Sequence, residues 1–399
     1  MKKIALFISL VASLPAGLIA NGVQNCDVNK EQACVYQFNQ ETNLWTTHGS
    51  VIAIDKSIGR HGNSISINSD GMILAVGAIS ANEVYVYQYT GDDTSWRLLG
   101  SAIPGEAAYD ENGRSVSLSA DGMRVAIGSP RNDDNGNSSG QVRVYEYDGG
   151  SSSWIQVGNN MPQNHPASGD QSGYSVSLSA DGMRVAIGSP GNNDNGKDSG
   201  KVSVYEWSGT NWNQLGTNID GEAALDKSGY SVSLSADGKR LAIGAPKNSD
   251  NGINSGQVRV YEWSGTNWNQ LGMDIDGKAP LDQSGSSVSL SADGKRLAIG
   301  APLNDSNGKD SGQVRVYGWN GANWDQIGVF TGENSRAYFG MSVSLSGNGS
   351  ELAISSNGSA KSFVFDNTSW KQQGNTINGA SGEQISISED GTTLAVLPS

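Results

Sequence analysis

The sequence predicts an all-β protein: a seven-bladed β-propeller of four-stranded antiparallel blades, its ring closed by half-blades from the two termini. Three observations predict it. A phrase of alternating residues recurs along the chain, each unit carries one tryptophan at an equivalent place, and each end of the chain holds only half a unit. The 53 glycines among 399 residues agree with this fold, because Gly disfavours helix interiors and favours tight turns.

The recurring phrase predicts the first two strands of each blade. Its copies begin at Ser115, Ser175, Ser231 and Ser287, with weaker ones at Ser64, Ser342 and Ile385. In SVSLSADGMRVAIGSP, the alternation of SVSLS is typical of a strand with one buried face. The Asp-Gly that follows is a strong hairpin signal, since both turn positions need positive φ.

A second phrase predicts the third and fourth strands. Its clearest copy is QVRVYEWSGTNWNQLG, in which VRVYE alternates and the fourth strand starts at the tryptophan after a Gly- or Asn-containing turn. The seven tryptophans at this place are Trp45, Trp96, Trp154, Trp212, Trp268, Trp324 and Trp370. Recurrence once per unit favours packing between blades over a sugar-binding ladder.

The two ends of the chain predict a closed ring. Residues 34–49 match the third and fourth strands only, and residues 385–398 match the first and second only. Together they complete one blade, and closure removes the exposed sheet edges that an open array would leave.

The first 33 residues are expected to lie outside the propeller, which we place at 34–399. Lys2 and Lys3 precede a short apolar run that ends near Ala20, which predicts a signal peptide at 1–20 and a secreted, cell-surface or periplasmic protein. Residues 21–33 then form an N-terminal segment, with a disulfide expected between Cys26 and Cys34. No second apolar stretch follows, so we expect no transmembrane segment, and we expect a monomer.

The units resemble the FG-GAP repeats of integrin α-subunit propellers. Phe339-Gly340 opens one unit, and Gly244-Ala245-Pro246 and Gly300-Ala301-Pro302 close the second strand of two others. The resemblance implies a propeller that mediates adhesion to a protein. In that family a calcium loop commonly joins the first and second strands, but here the junction is only Ser-Ala-Asp-Gly, so we assign no metal and no cofactor. Asn- and Asp-rich loops between the second and third strands favour local turns, with weak calcium binding as the alternative.

Charge and loop placement predict a binding face. The net charge of −14 disfavours nucleic acid as a partner. Antiparallel connectivity puts the loops between second and third strands on the same rim as the loops that link blades, and both carry acids. The predicted binding residues are Asp110, Asp133, Asp134, Asp170, Asp194, Asp198, Asp226, Asp282, Asp305 and Asp310. The function that follows is a non-catalytic binding or adhesion scaffold for an extracellular or cell-surface protein or glycan. A rim that is acidic only for solubility is the alternative.

An enzyme is the alternative function. His61, His165, Arg336 and Tyr338 lie in inter-blade loops that depart from the repeat. If these loops meet at their axial ends, the four side chains would supply the acid, base and cation that a polysaccharide-active glycosidase or lyase needs. No nucleophile elbow, Cys/His dyad, phosphate-binding loop or zinc-ligand pair is present in the sequence.

Overall fold

The computed structural model describes residues 32–50, 52–53, 64–91, 95–161, 166–378 and 382–398. Every regular element in these ranges is a β-strand, and the strands form seven separate antiparallel sheets. We number the blades 1 to 7 by the order of their innermost strands. The signal peptide predicted at 1–20, the segment at 21–33 apart from its last two residues, and Cys26 lie outside the described residues.

Each blade contributes strands at four equivalent places. The innermost strands are β4 (Ser64–Ile67), β9 (Ser115–Leu118), β13 (Ser175–Leu178), β18 (Ser231–Leu234), β23 (Ser287–Leu290), β27 (Val343–Leu345) and β31 (Gly382–Ile387). The second strands are β5 (Ile73–Ala78), β10 (Arg124–Ser129), β14 (Arg184–Ser189), β19 (Arg240–Ala245), β24 (Arg296–Ala301), β28 (Glu351–Ser356) and β32 (Thr393–Pro398).

The outer half of each blade follows the same plan. The third strands are β1 (Gln32–Asn39), β6 (Glu83–Tyr89), β11 (Gln141–Asp148), β15 (Lys201–Trp207), β20 (Gln257–Trp263), β25 (Gln313–Trp319) and β29 (Ser359–Phe365). The fourth strands are β2 (Leu44–Thr47), β7 (Trp96–Leu98), β12 (Ser153–Gln156), β16 (Trp212–Gln214), β21 (Trp268–Gln270), β26 (Trp324–Thr331) and β30 (Trp370–Asn378). Short strands β3 (Ile52–Ala53), β8 (Ile103–Pro104), β17 (Ile219–Asp220) and β22 (Ile275–Asp276) also pair with third strands.

Blade 7 joins the two ends of the chain and confirms the predicted closure. Its strand order is β2-β1-β32-β31, so the outer half comes from the N-terminal part and the inner half from the C-terminal part. In the register between the halves, Cys34 lies opposite Val396 and Gln37 lies opposite Thr393. The sequence-based fold, a closed ring of seven four-stranded blades, is therefore confirmed.

A ring of serine hydroxyls joins the innermost strands around the axis. The serine in the middle of each strand accepts a hydrogen bond from the backbone N–H of a Leu or Ile in the next blade, at 2.9–3.1 Å. Ser117, for example, accepts from Leu178. These serines alternate with the apolar residues of SVSLS, so the repeated polar position of the phrase is explained by contact between blades.

A second ring lies at the Asp-Gly turns, on the face that we call the turn rim. There the backbone N–H of one residue per blade donates to the carbonyl of its counterpart in the next blade, at 2.8–3.1 Å. The members are Ser69, Ala120, Ala180, Ala236, Ala292, Gly347 and Glu389, and the bond from Glu389 to Ser69 completes the circle. Seven main-chain bonds thus encircle the axis at this end.

Apolar side chains fill the seven spaces between neighbouring sheets. Between blades 2 and 3, Val142 and Val144 of one sheet pack against Val185, Ile187 and Trp212 of the other. Six of the seven repeated tryptophans also donate their Nε1–H to a backbone carbonyl of the preceding blade, at 2.8–3.3 Å. The tryptophans therefore pack between blades.

The Phe-Gly and Gly-Ala-Pro motifs of neighbouring units contact each other in the structure. A Cβ added at Gly300 would lie 2.1 Å from the carbonyl oxygen of Gly340, so no side chain fits there. The same carbonyl accepts a hydrogen bond from the hydroxyl of Ser287 at 2.9 Å. Gly340 itself has φ +93°, a backbone conformation that favours glycine. The motif therefore encodes a close main-chain contact between adjacent blades.

Three of the four repeated arginines on the turn rim form ion pairs within their own blades, and the fourth contacts the next blade. Arg124, Arg184 and Arg240 form ion pairs at 2.7–2.9 Å with a glutamate directly across the second and third strands. In blade 5 a glycine, Gly318, occupies the place of this glutamate, and Arg296 lies over the ring of Phe365 instead. These arginines are thus largely occupied by contacts within the protein.

Candidate binding face

The face opposite the turn rim, which we call the loop rim, consists of interlocked loops. It contains the loops between second and third strands (131–140, 191–200, 247–256 and 303–312) and the loops that enter the next blade (107–113, 167–173, 223–229, 279–285 and 334–340). The two kinds are joined by backbone bonds across blades, such as Leu225 N–H to the carbonyl of Lys197 at 2.7 Å. Hydrogen bonds between the two kinds of loop therefore fix the shape of this rim.

Four of the predicted acids are buried beneath this surface. Asp110, Asp170, Asp226 and Asp282 are 2–4% exposed. Each accepts a backbone N–H from three residues earlier, at 3.0 Å, and the side-chain amide of an asparagine in the long loop of its own blade, at 2.9–3.3 Å. Burial raises the pKa of Asp226. In this place the carboxylates hold the two kinds of loop together, and a binding role for them stays a prediction.

Blade 6 supports a structural role for these four carboxylates. Its second and third strands are joined by a turn of only two residues, Asn357 and Gly358, and Ala337 takes the place of the aspartate. The N–H of Asn357 donates to the carbonyl of Ala337 at 2.7 Å. Where the long loop is missing, the carboxylate that would hold it is missing too.

The other six predicted acids lie in the long loops. Asp194 pairs with Lys201 and Asp198 pairs with Lys227, each at 3.0 Å, and the hydrogen bond from Lys201 lowers the pKa of Asp194. The remaining members, Asp133, Asp134, Asp305 and Asp310, have no Lys or Arg within 4 Å among the described residues. Asp250, Lys197, Lys247 and Lys309 of the same loops also lie outside any ion pair among the described residues, so the loops carry unpaired charges of both signs.

Large apolar side chains also lie exposed on the loop rim, a feature that the sequence analysis missed. Tyr109, Leu225 and Leu281 each precede a buried aspartate and are 88%, 53% and 57% exposed. All three have positive φ, between 70° and 75°. Ile253 is 71% exposed, and its carbonyl accepts the N–H of Leu281 at 2.8 Å. In the sequence, the signal that could have revealed the first three residues is an apolar residue directly before the recurring aspartate.

The residues of the alternative catalytic site are placed only in part. Arg336 and Tyr338 lie in one loop, both with positive φ; Arg336 is exposed, and Tyr338 lines a cavity on the axis. His61 and His165 lie outside the described residues. His48, the histidine that is described, packs 4.1 Å from the ring of Tyr89, and burial lowers its pKa.

The described ranges contain neither a cluster of metal-binding side chains nor a membrane-spanning helix. No group of three or more His, Cys, Asp or Glu side chains there is close enough to hold a metal ion. Nor does any helix in those ranges have the length and apolar character to cross a membrane.

Comparison with known proteins identifies the repeats. The FG-GAP repeat model matches residues 104–145, 163–205, 217–261 and 275–317. Together with the seven-bladed fold, these matches show that the chain is an FG-GAP β-propeller protein.

One solved structure with a similar fold is the hydrazine synthase of Kuenenia stuttgartiensis. The TM-score is 0.57 and the identity 13%, with 85% of this chain and 92% of that chain covered. At this identity the likeness concerns the fold alone. No curated protein sequence matches the chain.

Proposed function

We propose that this FG-GAP propeller is an exported, non-catalytic binding scaffold whose loop rim docks a protein with a basic surface. The fold itself fits a binding scaffold, because a rigid ring presents many loops on one face. Export rests on the signal peptide predicted at 1–20. The enzyme alternative has no observation in its favour beyond the shared loop of Arg336 and Tyr338.

The observation that carries the proposal is the set of three exposed apolar side chains at the loop tips. A left-handed backbone costs a residue other than glycine about 1 kcal/mol or more. Gly169 occupies the equivalent place before blade 3, with φ +88°, so this chain itself shows a residue that fits there without strain. Leu225 and Leu281 accept that cost and expose apolar surface to water, which is typical of a contact surface.

Charge indicates the kind of partner. The apolar tips share their rim with Asp133, Asp134, Asp305 and Asp310, which have no cationic partner within the described residues. A basic protein would neutralise these carboxylates while its apolar side chains cover the tips. Similar tips on several blades also suit contact at several points at once.

Site-specific photo-crosslinking tests the proposal. A photoreactive residue is placed at Leu281 or at Ile155, an exposed apolar residue (51%) on the fourth strand of blade 2, outside the loop rim. Each full-length protein is incubated with the surface and secreted proteins of its source. The expected result is a basic protein crosslinked through position 281 and not through 155, with a yield that falls as salt rises.

A matched variant controls for folding. In Leu225→Gly, with the photoreactive residue kept at position 281, the loop before blade 4 receives the residue that Gly169 shows to fit, so the fold is expected to persist while capture through position 281 falls about tenfold. Equal labelling at both positions would contradict the proposal. So would capture of a glycan in place of a protein, or turnover of an acidic polysaccharide by the wild-type protein.

A further inference from the structure

A cavity of about 520 Å³ lies on the axis and opens among the loops of the loop rim. Its wall holds the small polar residue that starts most inner strands, such as Ser115 and Ser231. The apolar residue that follows, such as Val116, lines it more deeply. The volume is within the range of small-molecule sites, and the mixture of polar and apolar lining suits a compact polar ligand.

The mouth of the cavity is formed by the residue just before each inner strand, and the type of this residue differs from blade to blade. In blades 2, 3 and 4 this residue is Arg114, Tyr174 and Tyr230. The guanidinium of Arg114 lies 4.6 Å from the ring centroid of Tyr174, and its Nη2 donates to the Oη of that tyrosine at 2.6 Å. The Tyr174 and Tyr230 rings lie 4.9 Å apart. One cation and two aromatic rings thus form a continuous cluster.

Arg114 is half-buried, and no carboxylate lies within 4 Å of its guanidinium among the described residues. The nearby Glu111 pairs with Arg131 instead, at 3.1 Å. A guanidinium has five N–H donors, of which Tyr174 takes one. A partly desolvated cation in a cavity is stabilised by an anion that accepts its remaining donors.

We propose that the axial cavity binds a carboxylated sugar ring of the hexuronate class. The carboxylate accepts hydrogen bonds from Arg114, and the sugar ring packs against Tyr174 and Tyr230. Its hydroxyls reach the serine hydroxyls of the wall and the amide of Gln283, which also lines the cavity. Because the protein carries a net charge of −14, general electrostatics would repel such a ligand, so binding depends on Arg114, the cation that lines the cavity in the described part of the chain. The site is separate from the docking of a protein on the loop tips.

Titration calorimetry with the full-length protein tests the proposal. The ligands are glucuronate, a short oligomer of the same sugar acid, and glucose, which lacks the carboxylate. The expected result is that glucuronate binds at least about tenfold more tightly than glucose. If the monomer binds as well as the oligomer, a free sugar acid is sufficient to occupy the cavity. Binding of the oligomer alone, still dependent on Arg114, identifies a unit within a polysaccharide.

Two variants make the test specific. Arg114→Ser introduces the residue that blade 5 carries at this place, Ser286, so the fold is expected to tolerate it, which thermal unfolding checks. It should weaken glucuronate binding about tenfold or more and leave glucose unchanged. Arg296→Gln removes a cation of the turn rim and should leave both affinities unchanged. Equal affinity for glucuronate and glucose, insensitivity to Arg114→Ser, or no binding up to about 10 mM ligand would overturn the proposal.

Discussion

The backbone N–H of Ile67 donates a hydrogen bond to the Oγ of Ser386 at 3.1 Å, across 319 residues of chain. The bond connects the innermost strand of blade 1 to that of blade 7. The same contact recurs between neighbours along the chain, as between Leu178 and Ser117 at 2.9 Å. Blade 7 is therefore held at its inner strand in the same way as the blades that are continuous in sequence.

A circular permutant should fold, because β1 and β32 are already antiparallel neighbours. A short turn joining Pro398 to Gln32 would convert them into a hairpin, and new ends can be placed in the exposed turn at Gly149–Gly150. We expect a cooperative unfolding transition at a temperature equal to or above that of the wild type, since closure becomes covalent. Far-ultraviolet circular dichroism and thermal unfolding measure this. A permutant without a cooperative transition would contradict the closure described above.

Substitution of a buried aspartate of the loop rim should destabilise the fold. Asp282→Ala leaves the amide of Asn304 and the N–H of Ala279 without their acceptor. We expect a loss of about 1–3 kcal/mol in the free energy of unfolding, measured in urea. Asp282→Asn retains one oxygen that can accept both bonds and should lose less. Equal stability of wild type and Asp282→Ala would show that this carboxylate does not hold the loops together.

Two partly buried tryptophans provide a matched comparison of one hydrogen bond. Trp154 donates its Nε1–H to the carbonyl of Leu99 at 2.8 Å, whereas the buried Nε1–H of Trp370 has no acceptor within the described part of the chain. A β-bulge in β26 shifts the register beside Ile327, which holds the place of the usual acceptor. Trp154→Phe should therefore cost about 1 kcal/mol more than Trp370→Phe in chemical unfolding. The reverse order would be inconsistent with these contacts.

His48 should make stability depend on pH. Burial lowers its pKa, so the fold favours the neutral imidazole that packs against Tyr89. This contribution is complete above the unfolded pKa of about 6.5 and is lost as the pH falls through the lower folded value. His48→Phe keeps an aromatic ring and removes the titration. The difference in unfolding free energy between wild type and variant should be constant above about pH 7 and move against the wild type below it.

Unfolding of both proteins in urea, between about pH 5 and pH 8, measures that difference. His61 and His165 remain in both proteins, so their titration cancels to the extent that the substitution leaves them unchanged. A difference that stays constant over the whole range would show that His48 titrates alike in the folded and unfolded chains.

Most of the fold could be predicted from the sequence because the repeat is nearly exact in four blades. Alternation identified the strands, Asp-Gly located the turns, and one tryptophan per unit gave the blade number. The half-units at Cys34 and at Ile385 implied closure. Pairing of each strand needed no further information, since every blade repeats the same local order.

The binding face was harder to predict, because a pattern of residue types does not tell whether a side chain is exposed. Asp282 and Asp305 look alike in the sequence, yet one is buried under the loops and the other is exposed. The cluster of Arg114, Tyr174 and Tyr230 escaped notice because its members occupy a position that varies between repeats and lie 60 and 56 residues apart. Only the ring geometry brings such positions together.

The ring of backbone bonds on the turn rim separates the assembly of the disc from the identity of its side chains. Ser69, Gly347 and Glu389 serve there as well as the alanines do, because only main-chain groups take part. The side chains of a unit can thus change, or the whole unit can be duplicated, while its main-chain hydrogen bonds to the neighbouring blades are kept. This freedom leaves the surface residues open to specialise blade by blade.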